Sequence, residues 1–136
     1  MAGMSDWLEG QIRAHIFRTA TFTKPAALWV GLYTSDPGDA SGGTEVSGGS
    51  YARVQLNPSD ANWTAASSTD GVTNNGSVIT YPAPTANWGT VTHFAIHTAS
   101  TAGNRVVYGA LSASRVINSA DAAPEFAVGA LTVTFA

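Results

Sequence analysis

The sequence predicts an all-β fold, a β-sandwich of jelly-roll-like type with one short N-terminal α-helix. Three observations carry this. From residue 27 onward, short runs alternate apolar and polar side chains. Clusters of Gly, Asn, Ser, Asp and Pro punctuate them at short spacing. Only residues 5–18 carry a helical period instead. The expected organisation is one domain over residues 1–136, with a helix over 5–18 and a sandwich over 27–136.

The helix has a plausible start. Ser5 suits an N-cap, and Asp6 and Glu9 fall in the first turn, where the helix dipole favours them. Leu8, Ile12 and Ile16 recur at i, i+4 and i+8 and make one apolar stripe, which must be buried on the sandwich or on a partner. Gly10 weakens the helix by about 1 kcal/mol relative to Ala. Pro25, at the end of "TATFTKP", is the expected stop.

The strands follow in order. "ALWVGLYT" (27–34) places Leu28, Val30 and Leu32 on one face and Trp29 and Tyr33 on the other. "YARVQL" (51–56) and "NWTAA" (62–66) come next. "SVITYP" (77–82) follows Asn75-Gly76, read as a hairpin turn. "TVTHFAIHT" (90–98) points Phe94 and Ile96 inward and His93 and His97 outward. "RVVYGALS" (105–112), "RVINS" (115–119) and "PEFAVGALTVTFA" (124–136) complete about seven or eight strands.

Composition narrows the function classes. Charged residues are 11% of the chain and hydrophobic residues 44%, with net charge −3. Few charges need desolvating when such a surface packs on another protein. Lys24 and five scattered arginines make no basic patch, so nucleic acid is not an expected partner. There is no cysteine, which excludes disulfides and thiolate sites. No apolar run reaches membrane-spanning length, and "MAGMSDWLEG" lacks a signal-peptide pattern, so synthesis in a host cytoplasm and no membrane association are expected.

Candidate chemistry is sparse. Asp36 and Asp39 in "SDPGDASGG" supply too few oxygens for a calcium loop, and Asp-Pro-Gly is turn chemistry. "GDASGGT" and "SGGS" lack the spacing and lysine of a phosphate loop. His93 and His97 on one strand lie about 13 Å apart, too far to share one metal. No Ser/His/Asp arrangement is evident, and no enzyme activity, cofactor or metal is expected. Trp29, Tyr33, His93 and His97 are the candidate interface residues, on the outward face of their strands. Trp29, Trp63, Trp88, Tyr51 and Tyr81 are enough aromatic rings for a sugar platform, or for a core and subunit contacts.

"LYTSDP", Thr44–Arg53 ("TEVSGGSYAR"), Trp88–Ile96, Gly103–Leu111 and Phe126–Thr134 occur together in this order, and the chain thereby resembles a family of small tailed-bacteriophage virion proteins. Members of that family are often described as tail-fibre proteins, and their size and β-rich pattern are also similar to capsid decoration (cement) proteins. The resemblance implies no catalytic residues. It implies a virion structural role, here expected on the capsid exterior as a decoration protein that bridges major capsid protein subunits. A homo-oligomer, dimer or trimer, is expected. The alternative is a tail-fibre or receptor-binding module, and a third is a carbohydrate-binding β-sandwich. The lack of internal repeats favours the head over the tail in this reading.

Overall fold

The computed structural model describes residues 2–65 and 70–135. Ala66 and Ala136, the ends of two expected strands, lie outside the described residues. The elements are β1 (Ala2–Met4), α1 (Asp6–Phe17), β2 (Trp29–Tyr33), β3 (Val54–Gln55), β4 (Trp63–Ala65), β5 (Val72–Asn75), β6 (Ile79–Thr80), β7 (Gly89–His97), β8 (Arg105–Ile117), β9 (Glu125–Phe126) and β10 (Thr132–Thr134). The class is all-β with a short N-terminal helix, as the sequence predicts. The jelly-roll detail goes unconfirmed: the described strands divide into sheets ordered β1-β8-β7-β2-β3, β10-β5-β4 and β6-β9.

Helix α1 starts where its cap requires. Ser5 is extended (φ −79°, ψ 158°), and its Oγ accepts the Leu8 N–H at 3.2 Å. The same hydroxyl donates to the Arg105 carbonyl, which ties the cap to β8. The apolar stripe buries unevenly. Leu8 is buried and Ile12 half-buried, but Ile16 and Phe17 are 62% and 80% exposed. The helix ends at Phe17, well before Pro25, and the chain turns back so that Phe22 packs edge-on against Trp7 at 6.0 Å.

The large sheet is antiparallel throughout. Val30 and Leu32 oppose Ile96 and Phe94, and Ile96 opposes Val107, so one face is continuous core. Leu8, Ile79, Tyr81, Leu131 and Val133 belong to the same cluster. The two strands expected over 105–112 and 115–119 are one strand. Val91 pairs with Arg115 and His93 with Ala110, so residues 111–114 bulge out opposite Thr92. The bulge absorbs the small residues Ser112, Ala113 and Ser114 that read as a break. The last expected strand is instead split into β9 and β10 by a turn at 127–130, where Gly129 has φ 78°.

Asn75-Gly76 is not a hairpin turn. Asn75 ends β5 with its side chain fully buried. Its amide donates to the Ser77 and Ala127 carbonyls, each at 2.9 Å, and its oxygen accepts the Leu131 N–H at 2.8 Å. A Cβ on Gly76 would sit 2.2 Å from the Ala61 carbonyl oxygen, so close backbone approach explains that glycine. Tertiary partners have overridden a local turn signal.

β2 is paired along its whole length with β7, but β3 pairs only with Trp29 and Val30 on the other side. The rest of that edge finds other partners. The Tyr81 hydroxyl donates to the Val30 carbonyl at 3.0 Å, and the Leu32 N–H donates to the Tyr51 hydroxyl at 2.9 Å. Val46 N–H then reaches the Leu32 carbonyl, and Thr34 N–H the Thr44 carbonyl, each at 2.9 Å. Removing one partner orphans a buried carbonyl, a loss of about 1–3 kcal/mol. Tyr81→Phe is therefore expected to lower the urea midpoint by that much stability at unchanged slope; an unchanged midpoint would show that the edge does not need this hydroxyl.

Candidate functional site

The second face of β2 carries Trp29, Gly31 and Tyr33, which register with His97, Ala95 and His93 of β7. The connection 34–53 folds over this face. Gly31 makes room for it: a Cβ there would lie 2.9 Å from Glu45 Oε1 and 3.3 Å from the Tyr51 hydroxyl. Gly48 and Gly49 have φ of 74° and 57°, the conformation expected of the pair in "SGGS". Gly49 also lies against Trp88, whose indole donates to the Gly49 carbonyl at 2.9 Å.

Glu45 and Arg53 form the charged centre of the layer. Arg53 Nε and Nη2 donate to the two carboxylate oxygens at 2.7 and 2.8 Å. Tyr51, two residues from Arg53 and so able to share its side in extended chain, donates to Glu45 Oε1 at 2.9 Å. Burial pushes the Glu45 carboxyl up, but the hydrogen bonds from Arg53 and Tyr51 together outweigh it and hold the group below its usual value. Burial raises the Tyr51 phenol. Arg53 Nη1 also donates to the Ala99 and Ala102 carbonyls at 2.9 Å, which binds the β7–β8 turn to the same layer.

Beside this pair, His97 Nε2 meets the Tyr33 hydroxyl at 3.0 Å with the rings stacked at 6.1 Å. Arg105 lies 5.7 Å from the centre of the Tyr33 ring. Its guanidinium donates to the carbonyls of Pro37, Gly38 and Gly42 and so pins the start of the connection to β8. Tyr108 donates to Asp39. The Asp-Pro-Gly turn is present: Gly38 has φ 67° and its N–H donates to Asp36 Oδ1 at 2.9 Å. Asp36 is therefore engaged within the loop and Asp39 by β8.

The four interface candidates separate. Tyr33 and His97 are each 4% exposed, because the 34–53 connection covers them. The expectation of an outward, exposed His97 is corrected on that ground. Trp29 and His93 are half-buried and keep surface. Of the aromatic residues, Tyr51, Tyr81 and Trp88 pack on one another, with centroids 6.3 Å apart for the tyrosine pair and 5.3 Å for Tyr51 and Trp88. The clamps Glu45, Arg53 and Arg105 escaped the sequence reading. The only signal was the alternation of Tyr51 and Arg53. The arrangement organises a loop and presents a surface; among the described residues no group of three or more His, Asp or Glu side chains could hold a metal.

Residues 3–134 match the family model described as Podophage GP4 fiber I protein gp80. A comparison with curated proteins finds no match. The match spans nearly the whole chain and covers every element of the layer just described.

His97 makes the layer sensitive to acid. Burial lowers its pKa to about 4 from 6.5, Arg53 and Arg105 add to the effect, and Glu45 opposes it. The unfolded chain thus binds this proton more readily than the folded one. Its contribution is complete above about pH 6.5 and is lost as the pH falls toward about 4, by at most about 1.4 kcal/mol per pH unit. The drop in unfolding free energy between about pH 7 and about pH 5 should shrink in His97→Asn. An equal drop in both proteins would assign it to other groups.

Proposed function

Because this chain belongs to the podophage GP4 fiber I protein gp80 family, it is a phage virion structural protein, and we propose that it is a fibre subunit of the phage tail. The observation that carries this is the family match over residues 3–134. The decoration reading, with the major capsid protein as partner on the capsid exterior, is displaced by it: a family of fibre proteins favours the tail. The missing repeats do not oppose this. A fibre assembles equally well from copies of a short chain, so internal repeats are no guide to head or tail.

A fibre subunit needs contacts with copies of itself. The charge-poor surface lowers the desolvation cost of such contacts, and Ile16 and Phe17 leave an apolar end on α1. The proposed assembly is a homo-oligomer, and the reading assigns the chain no catalytic step. No helix among the described residues is long and apolar enough to cross a membrane.

Antibody labelling of intact virions should mark the tail, and virions lacking the protein should lose adsorption while their heads keep their thermal stability. Labelling over the head with weakened heads would restore the decoration reading. A second expectation concerns association. Ile16→Ser combined with Phe17→Ser should change stability by no more than about 0.5 kcal/mol per site, since both side chains are exposed. The same variant should lower the mass seen by light scattering at high concentration. An unchanged oligomer would place the subunit contact elsewhere.

A further inference from the structure

We propose that the open cleft beside the Glu45–Arg53 pair is a binding site for a neutral saccharide, a proposal that takes its biological setting from the fibre reading above. The cleft has a volume of about 440 Å³, inside the range of small-ligand sites. Its sides are the 45–53 segment and the β7–β8 turn, with Trp29 between them.

The cleft is held in shape before any ligand arrives. One guanidinium fixes both sides, since Arg53 grips Glu45 across one and the carbonyls of Ala99 and Ala102 across the other. Each side also stores backbone strain at a non-glycine residue. Ser50 has φ 65° and Ala102 φ 50°. Such strain clusters at ligand clamps.

The lining chemistry points to a sugar ring. Trp29 is half-buried and offers an aromatic surface, which suits the apolar C–H face of a pyranose. Glu45 is 25% exposed, and its Oε2 carries one bond, from Arg53, which leaves acceptor capacity. Ser47, Ser100 and Thr101 are exposed, and their hydroxyls make no hydrogen bond among the described residues. An aromatic wall, a carboxylate acceptor and free hydroxyls match a ring with one apolar face and a hydroxyl edge.

The charge pattern selects against anions. Arg53 forms four hydrogen bonds inside the protein, against the five donors of a guanidinium. The Glu45–Arg53 pair has no net formal charge, so the cleft offers a carboxylate sugar no free counter-charge. Of the other rings, Tyr51 also lines the cleft but packs on Tyr81 and Trp88, and the Trp63 indole donates to the Leu56 carbonyl at 3.1 Å.

The test is titration of the isotope-labelled full chain, followed by NMR, with methyl glucoside, methyl galactoside and methyl rhamnoside as neutral probes. N-acetylneuraminic acid is the anionic control. At least one neutral glycoside should shift the Trp29 indole and the Gly48 and Ser100–Ala102 amides in a saturable way. Trp29→Ala should weaken that binding by about tenfold or more. Trp29 lies in β2, so Ser47→Val with Thr101→Val, both outside the strands, serves as a second variant and should weaken binding likewise. No saturable shift with any neutral glycoside would overturn the assignment, as would shifts centred elsewhere or a preference for the anionic sugar. Tail labelling without glycoside binding sinks the cleft and spares the fibre reading. Glycoside binding with head labelling supports the cleft and sinks the fibre reading.

Discussion

The unpaired side of β2 is the constraint on which the rest of the structure depends. A strand in the middle of a buried face cannot leave backbone groups without partners, because water cannot reach them. Here β3 stops after two pairings, and two tyrosine hydroxyls and a short backbone ladder complete the edge. Each substitute pulls in a different part of the chain. Tyr81 brings the segment after β6, and its ring lies 6.3 Å from that of Phe126 in β9. Tyr51 and Val46 bring the 44–53 segment. The two phenol rings stack, so the edge and the adjoining core close together.

Folding 44–53 over the second face of β2 buries polar groups that an open sheet would leave in water. Their requirements are met largely within the layer: Glu45 by Arg53 and Tyr51, Tyr33 by His97, and the loop carbonyls by Arg105. A paired buried charge adds little net stability, because desolvation offsets the Coulomb gain, but removing one partner is costly. The layer therefore sets where the connection lies more than how stable the protein is. Gly31 is part of the same arrangement, since any side chain there would strike Glu45.

This construction suits a virion component. The charged groups are few, and Glu45 and Arg53 are turned inward against each other, which leaves a charge-poor surface rich in small polar residues. Such a surface can pack on copies of itself with little desolvation cost. The polar side chains of this layer also frame the cleft beside Trp29, so the elements that close the fold also shape that surface.

By itself the sequence determined the class, all-β after a capped helix, because alternation and capping are local properties that survive into the folded chain. Ser5, the Val30/Leu32 and Phe94/Ile96 faces, the Asp-Pro-Gly turn and the Gly48-Gly49 backbone were all legible in this way. Tertiary structure decided what local pattern does not encode. It joined 105–117 through a bulge, because β7 offers one continuous partner. It turned Asn75 inward, because the distant Ala127 carbonyl and Leu131 N–H, with the nearby Ser77 carbonyl, needed its amide. It also buried Tyr33 and His97 from an outward face, because a connection of small residues returned across β2 to satisfy its edge. Alternation tells which side of a strand a residue takes, but not what later covers that side.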